Sequence, residues 1–418
     1  MSKTQVQTLK GFRDFLPQEA RLRQVVSEKI RQVFEIYGFA PLQTPTLEYA
    51  SLLLGKYGTE ADKLVYTFAD RGEREVGLRY DQTVPTARVL AQYQNELPKY
   101  FRRYQMQNVF RADKPQKGRY REFTQCDVDI FGSRDSIADA ELLATVNAVF
   151  ENLGLENVVI EINDRQLLIS NLQPFSTATV DVFSIIQSID KLDKMPPEAI
   201  VAELVDKGLA LSQAQAVIDQ LNKIEMSDSL KDIEQKTIAL GVKPSNLVFN
   251  PKLARGLDYY TGLIFEIKMA DGDNQASLGG GGRYDNLIKD LSGYDMPAVG
   301  VGLGFDRIVE VYDSKNTKQN PYDTQVLVGF TDEEGCQMRA LEITKLLRQQ
   351  QIRTEVFPAV DKLAKQFKVA EQKNIPFVLV VGGDELASQK YTLKNMQERS
   401  QEALSIEEII SKLSTSIN

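Results

Sequence analysis

The 418-residue sequence contains no histidine and no tryptophan, and it has only two cysteines. The lack of imidazole excludes every mechanism in which a histidine side chain of the protein acts as a base or a metal ligand. Cys126 and Cys336 lie far apart in the sequence, so neither a zinc cluster nor a disulfide framework is expected. Chemistry must therefore rest on carboxylates, arginine, lysine, tyrosine, hydroxyl groups, backbone dipoles and a bound cation.

Long apolar runs are also missing. No stretch is long and apolar enough to span a bilayer, and the start at Met1–Gln5 lacks the apolar core of a signal peptide. The net charge is −8, from 50 basic and 58 acidic residues, which argues against a histone-like or membrane-coating surface. Local basic patches can still bind nucleic acid. We therefore expect a cytoplasmic protein without a membrane partner.

The periodicity of apolar residues divides the chain into five segments. Residues 1–164 mix strands and helices without βαβ alternation, which is typical of an α+β domain with a largely antiparallel sheet. Residues 165–240 show helical periodicity and predict a helical insertion, after which 241–312 return to strands. The polar stretch 313–323 predicts a linker, and the βαβαβ alternation in 324–418 predicts a small α/β domain with a mostly parallel sheet.

A basic antiparallel hairpin is predicted at 104–131, with Arg111, Arg119 and Arg121 in or beside its loop. Guanidinium forks bind phosphate oxygens in a bidentate manner, and Phe123 could offer its ring to a base. A solvated basic loop is the alternative interpretation. The position of Arg111 and Phe123 on opposite flanks of one hairpin weakens that alternative.

Two glycine-rich segments follow later in the chain. The run Gly279–Gly282 either lets backbone approach a ligand closely or forms a flexible hairpin tip. In the strand-like segment 300–304, alternate glycines leave one face as bare backbone, and Arg307 follows at a predicted helix start. That face suits a flat ligand or close packing against a helix. The glycine spacing is not that of the dinucleotide-binding fingerprint.

Together these segments resemble the signatures of class II aminoacyl-tRNA synthetases, and specifically of the histidyl-tRNA synthetase family. The hairpin is similar to class II motif 2, the segment 300–307 to motif 3, and the region around Pro45 to motif 1. Residues 255–262 (RGLDYYTG) and the segment 278–285 resemble two signatures specific to the histidyl branch. The resemblance covers nearly the whole chain, including its opening at 10–17.

The resemblance implies a class II antiparallel-sheet catalytic domain with a helical insert and a C-terminal anticodon-binding domain. It implies a homodimeric histidine–tRNA ligase that uses ATP and Mg²⁺ and acts on histidine and its cognate tRNA. No residue is assigned to a protein metal site. The implied catalytic residues are Arg111, Arg255 and Arg307. The implied ATP contacts are Arg111, Asp113, Arg119, Phe123 and Arg307. The implied histidine contacts are Asp81, Thr83, Arg111, Gln125, Asp129, Arg255, Tyr259, Tyr260 and Tyr284.

The chain departs from the family pattern at four positions in the motif 2 region. Asp113 and Asp129 stand where relatives often have glutamate, and Ala112 and Thr124 stand where they often have histidine. One alternative is a non-catalytic paralogue that senses histidine, the regulatory subunit of ATP phosphoribosyltransferase. Such paralogues typically lack the C-terminal domain and lose the ATP arginines, both of which this chain keeps. A prolyl, threonyl or glycyl synthetase is a further alternative, against which the 255–262 signature argues.

Contacts with tRNA are expected outside the catalytic domain. The predicted helix at 361–373 buries an apolar stripe and is expected to expose Lys362, Lys365, Lys368 and Lys373. Exposed lysines of this kind suit a phosphate backbone, although a merely solubilising face is the alternative. The helical insertion at 165–240 is expected to hold the acceptor stem.

Overall fold

The computed structural model describes residues 6–55, 62–116, 118–255, 259–270, 277–315 and 324–415. By its internal contacts the chain divides into two units. The first comprises Met1–Asp14 and Arg23–Lys315, and the second comprises Phe15–Leu22 and Asn316–Asn418. Residues 256–258 of the histidyl signature and 316–323 of the predicted linker lie outside the described residues. None of the helices in the described ranges has the length and hydropathy that a bilayer-spanning segment requires.

The N-terminal part of the chain alternates irregularly between helices and strands, as its sequence predicts. Its helices are α1 (Pro17–Ile36), α2 (Ala50–Leu53), α3 (Thr83–Gln92) and α4 (Ser136–Asn152). Its strands are β1 (Ala40–Pro41), β2 (Leu47–Tyr49), β3 (Thr67–Ala69), β4 (Glu75–Leu78), β5 (Phe101–Phe110), β6 (Glu122–Phe131) and β7 (Val158–Asp164). Strands β2, β4 and β3 form a small antiparallel sheet of their own.

The segment that follows is helical up to residue 239, in agreement with the prediction for 165–240. It contains α5 (Arg165–Leu172), α6 (Val182–Ile189), α7 (Pro197–Lys207), α8 (Leu211–Leu221) and α9 (Asp228–Ala239). The apolar stripes of α5 to α8 share one core, and Ile264 of the following strand region belongs to the same core. The assignment of this segment as a separate insertion domain stays a prediction.

After these helices the chain returns to strands that complete a large sheet. The added elements are β8 (Leu247–Phe249), β9 (Leu263–Met269), β10 (Gly279–Arg283), α10 (Leu287–Ser292), β11 (Ala298–Leu303) and α11 (Phe305–Lys315). The eight strands lie in the order β1-β5-β6-β11-β10-β9-β7-β8. All neighbours are antiparallel except the outer pairs β1–β5 and β7–β8. This sheet confirms the predicted α+β class and places β6 and β11 side by side at its centre.

The second unit has its own core and a five-stranded sheet. Its elements are β12 (Val326–Phe330), α12 (Cys336–Gln349), β13 (Thr354–Val356), α13 (Leu363–Gln372), β14 (Phe377–Val381), α14 (Gly383–Ser388), β15 (Tyr391–Asn395), β16 (Gln401–Leu404) and α15 (Ile406–Thr415). The sheet order is β13-β12-β14-β15-β16. The first three strands are parallel, as the βαβαβ pattern predicts, whereas β15 and β16 add an antiparallel hairpin that the prediction missed.

The helix α13 differs from its predicted surface. Lys362 and Lys368 are exposed, as expected. Lys365 is also exposed but pairs with Asp361 at 2.8 Å. Lys373 is half-buried rather than exposed, because it forms an ion pair with Glu355 of β13. Fewer lysines are therefore available for a phosphate backbone than the helical pattern alone indicates.

Candidate active site

Two cavities lie along the central strands β6 and β11. The first, of about 600 Å³, is bounded by the base of the β5–β6 hairpin and the start of α11. The second, of about 980 Å³, lies further along the same strands and reaches β10 and the chain around Arg255. Tyr80, Arg111, Gln125 and Gly302 line both cavities, so the two are neighbours that share a wall.

The first cavity contains every residue expected to contact ATP. Its wall includes Arg111, Asp113, Arg119, Phe123 and Arg307. Arg111 comes directly after β5, and Phe123, near the start of β6, pairs with Val109, two residues before Arg111, so the antiparallel register brings the two side chains to the same face. The Arg111 guanidinium carbon lies 4.4 Å from the Tyr80 ring centroid and 5.1 Å from that of Phe123. An aromatic face and a fixed guanidinium are the groups that a purine and a phosphate require.

The other three arginines near this cavity differ in their contacts and exposure. Arg307, on the first turn of α11, donates through Nη1 to the Ser277 carbonyl at 2.5 Å. Arg119 is largely exposed, and its Nη1 lies 3.9 Å from Asp113 Oδ1. Arg121 does not line the cavity. Its Nε donates instead to the Asp113 carbonyl at 3.0 Å, so it orders the hairpin loop.

The second cavity contains every residue expected to contact histidine. Those residues are Asp81, Thr83, Arg111, Gln125, Asp129, Arg255, Tyr259, Tyr260 and Tyr284. They come from the start of α3, from the residue after β5, from β6, from the chain before β9 and from the residue after β10. Gly280, Gly281, Gly300 and Gly302 form bare backbone between these side chains. Both glycine segments therefore line a cavity, where backbone could approach a ligand, and Gly279–Gly282 lies in β10 rather than at a hairpin tip.

Asp129 lies at the polar end of this cavity with two buried partners. Its Oδ2 lies 2.7 Å from Nη2 of Arg103, a fully buried arginine of β5, and its Oδ1 accepts the Tyr284 hydroxyl hydrogen. Burial raises the pKa of Asp129, while Arg103 and the Tyr284 hydroxyl oppose that shift. Gly300 makes this arrangement possible, because a Cβ there would lie 2.7 Å from Asp129 Cγ and 3.0 Å from the Tyr284 hydroxyl.

Arg255 is held in an unusual backbone conformation. Its φ is +51°, in the left-handed region that non-glycine residues rarely adopt. The carbonyls around it accept hydrogen bonds from two buried side chains near the β7–α5 junction. Asn163 Nδ2 donates to the Leu253 carbonyl at 2.9 Å, and Arg165 Nη1 donates to the Ala254 and Arg255 carbonyls at 3.3 and 3.4 Å. The Arg255 Nη1 lies 3.8 Å from Glu266 Oε1.

Several residues of the site were not found from the sequence. Tyr80, Arg103, Asn163, Arg165 and Asp127 are in contact with the cavities or hold the residues that line them. The two-residue repeat of a strand could have identified Asp127, because Phe123, Gln125 and Asp129 on the same face of β6 were already assigned. No local sequence pattern marks the other four residues, because their contacts with the site join segments that are distant in sequence.

Comparison with known proteins gives a consistent result. A family model described as histidyl-tRNA synthetase matches residues 11–308, and one described as an anticodon binding domain matches 324–416. The chain is 38% identical to a histidine–tRNA ligase from Phocaeicola vulgatus over 96% of this chain and 97% of that protein. A solved histidyl-tRNA synthetase from Nostoc sp. PCC 7120 is 29% identical, with a TM-score of 0.87 over 99% of this chain and 100% of that one.

A third likeness concerns the fold only. A Bacillus halodurans structure titled as an ATP phosphoribosyltransferase regulatory subunit/histidyl-tRNA synthetase has a TM-score of 0.73 at 19% identity and covers 91% of this chain and 99% of that one. The family model spans most of the first unit, and the curated relative matches almost end to end. The chain therefore belongs to the histidyl-tRNA synthetase family.

Proposed function

We propose that this chain activates L-histidine with ATP to histidyl-adenylate and pyrophosphate, and then transfers histidine to the 3′ end of its cognate tRNA. The shared wall of the two cavities is the observation that carries this proposal. Arg111 and Gln125 line both the cavity assigned to ATP and the one assigned to histidine. A carboxylate in one cavity and an α-phosphate in the other would meet at Arg111, as the first step requires.

In the first step an oxygen of the histidine carboxylate attacks the α-phosphorus, and the bond from that phosphorus to the bridging oxygen of pyrophosphate breaks. The carboxylate is already ionised at neutral pH, so it needs no base. Negative charge grows on the α-phosphate and the leaving group. Arg111 and Arg255 would stabilise the α-phosphate, and Arg307 would hold the γ-phosphate. None of these roles requires imidazole, in agreement with the lack of histidine.

ATP would enter as its Mg²⁺ complex. In the described ranges no group of three or more acidic or cysteine side chains is arranged to hold a metal ion. Mg²⁺ usually binds through substrate phosphates together with one or two protein carboxylates. Asp113 and Glu310 are carboxylates in the wall of the ATP cavity that could serve in this way. When bound, Mg²⁺ would neutralise phosphate charge that the arginines do not reach.

In the second step the terminal ribose hydroxyl of the tRNA attacks the carbonyl carbon of the adenylate, and the bond to AMP breaks. The chain offers no imidazole to accept the hydroxyl proton. A phosphate oxygen of the adenylate would accept it instead. The adenylate would thus act as its own base, held in place by Arg111 and Arg255.

Selection of histidine would rest on buried hydrogen bonds at the polar end of the second cavity. Asp129 and Tyr284 already hydrogen-bond to each other there, so both side chains are fixed before the substrate enters. The imidazole would contact this pair and the nearby Tyr259 and Tyr260. An analogue that cannot form these bonds would leave buried polar groups unpaired, which can reduce its use by ~10⁴-fold.

The partners beyond the small substrates are also part of the proposal. The C-terminal unit would bind the anticodon, and the helices α5 to α9 would hold the acceptor stem of the tRNA. We infer that the chain is a homodimer that acts in the cytoplasm. Three partly exposed apolar side chains on the β2–β4–β3 sheet support a dimer contact. Leu47 and Tyr49 lie on β2 in the motif 1 region, and Phe68 lies on β3, on the other side of β4.

Pyrophosphate exchange measured separately with each of the twenty amino acids tests the function. We expect exchange with histidine alone. Exchange with proline, threonine or glycine would indicate another class II synthetase. Histidine binding without any exchange would indicate a histidine-sensing regulator.

A further inference from the structure

The cavity assigned to histidine contains a carboxylate that has no assigned role. Asp127 lies on β6 between Gln125 and Asp129, and all three side chains face the cavity, because they alternate along one strand. Asp127 is 5% exposed. Its neighbour across the sheet is Gly302, whose missing side chain leaves room for it, since a Cβ there would lie 3.3 Å from Asp127 Oδ1.

Two adjacent acceptors on this face have no donor within the described part of the chain. Asp127 Oδ1 and Gln125 Oε1 are both buried and make no hydrogen bond with any described residue. Buried acceptors without donors are costly, so this pair needs a donor that the described residues do not supply. Asp129 Oδ2 also makes no hydrogen bond, but it lies 2.7 Å from Arg103 Nη2 in an ion pair, and Asp129 Oδ1 accepts from Tyr284, so the charge of Asp129 is already balanced.

Four charged groups lie near Asp127. Arg103 on β5 and Arg111 after β5 attract it, whereas Asp129 on its own strand and Asp81 before α3 repel it. Burial raises the pKa of its carboxyl to about 8, and the two aspartates add to that shift. A bound cation would favour the ionised form of Asp127 and relieve its repulsion by the other two aspartates.

We propose that Asp127 is a second carboxylate for the α-ammonium group of histidine, beside Asp81, which the family resemblance assigns to that group together with Thr83. This inference rests on the proposed function and adds a specificity residue to it. Asp81 Oδ1 accepts the backbone hydrogen of Val84 at 3.1 Å, so one of its oxygens caps α3. The ammonium group has three hydrogens to donate, and the Asp81 carboxylate, Gln125 Oε1 and Asp127 Oδ1 are acceptors in the wall of the same cavity. A neutral imidazole has one N–H to donate and could satisfy only one acceptor of this set.

The test uses the full-length enzyme and two inhibitors, only one of which has the amino group. Histidinol keeps the ammonium and imidazole groups and has an alcohol in place of the carboxylate, whereas imidazole-lactate keeps the carboxylate and imidazole groups and has a hydroxyl in place of the ammonium. For Asp127→Asn we expect the KM for histidine and the Ki of histidinol to rise about tenfold or more, as for loss of a charged hydrogen bond. The KM for ATP and the Ki of imidazole-lactate should change less than about twofold.

A neighbouring residue provides the control. Cys126 is buried on β6 but does not line the cavity, so Cys126→Ala should leave all four constants unchanged. An unchanged histidine KM in Asp127→Asn would overturn the inference. So would an equal rise for both inhibitors, because Asp127 would then contact the imidazole or support the pocket generally.

Failure of a variant to fold, or of the unmodified enzyme to react, would also decide between the interpretations. Asp127→Ser serves as a second variant that removes the charge with a smaller side chain. If neither variant folds while Cys126→Ala does, Asp127 is a structural residue and the inference is wrong. If the unmodified enzyme shows no exchange with histidine, the proposed function itself fails, which is a result distinct from any of these.

Discussion

At the scale of single residues, the site combines three arginines from distant parts of the sequence with carboxylates buried on one strand. Arg111, Arg255 and Arg307 line the two cavities. They provide fixed positive charge without any group that titrates near neutral pH. Sequence motifs identified these arginines, because each lies in a recognisable segment. Asp127 was missed, although the two-residue repeat of a strand puts it on the same face of β6 as Gln125 and Asp129.

Replacement of Arg255 by alanine should nearly abolish adenylate formation while ATP binding stays measurable. The side chain lines the cavity assigned to histidine and not the one assigned to ATP. Pyrophosphate exchange and ATP affinity, measured side by side, check this expectation. Arg255→Lys is the matched control: it keeps the charge but loses the guanidinium fork, so it should recover only part of the rate. Exchange near the unmodified rate in Arg255→Ala would refute the assigned role.

Asp127→Asn should also change how stability depends on pH. The pKa of Asp127 is raised to about 8 in the folded protein, so folding favours the protonated form. The contribution of this protonated side chain to the free energy of unfolding is complete below the ordinary pKa of an aspartate, and it is lost as pH rises toward 8. Asparagine does not titrate, so the variant does not lose stability in this way. Its free energy of unfolding relative to the unmodified protein should therefore rise by more than ~1 kcal/mol from about pH 5 to about pH 8. Urea unfolding measures this difference, and a flat difference would contradict the raised pKa.

At the scale of elements, the pair β6 and β11 defines the site. β6 carries the side chains, and β11 opposes them with glycines at 300 and 302. The alternation of residue types predicted both strands, because it has the period of a strand on a half-buried face. The packing partner of the glycine face could not be predicted, since it depends on which strand lies alongside. The antiparallel hairpin β15–β16 was missed in the second unit because its outer strand is mostly exposed and shows little apolar alternation.

The two glycines of β11 should differ in their tolerance of a methyl group. At Gly300 a Cβ would collide with the Asp129 carboxylate and the Tyr284 hydroxyl, which are fixed by their own hydrogen bonds. At Gly302 the nearest atom is Asp127 Oδ1 at 3.3 Å. Gly300→Ala should therefore lower the free energy of unfolding by ~1–3 kcal/mol and raise the histidine KM. Gly302→Ala should cost less than ~1 kcal/mol, as measured by urea unfolding. Equal losses of unfolding free energy in the two variants would contradict the close packing of Asp129 and Tyr284 against Gly300.

At the scale of the whole molecule, the sequence predicted the order of structural classes along the chain. The irregular α+β part, the helical stretch and the βαβαβ start of the second unit all have distinct periodicities, and all are present. The geometry of the cavities could not be predicted in this way. It depends on contacts such as Arg103 with Asp129 and Arg165 with the carbonyl of Arg255, which join residues far apart in sequence.

The proposed dimer gives a prediction at this scale. The unmodified protein should have about twice the 47.1 kDa mass of the chain in light scattering. Tyr49 and Phe68 are 59% and 45% exposed on the small sheet, so replacing both with aspartate should give a monomer. Leu341→Asp is the control, because Leu341 is 45% exposed on α12 in the second unit. A monomeric unmodified protein would refute the dimer.

Attachment of labelled histidine to tRNA is the most direct test of the central claim. The purified chain is mixed with tRNA, Mg²⁺, histidine and ATP, and the label on the tRNA is followed with time. The two adjoining cavities and the three arginines predict histidine on its cognate tRNA, with a requirement for ATP and with loss of the product in Arg111→Ala. Histidine that binds but never reaches the tRNA, or transfer of a different amino acid, would contradict the claim.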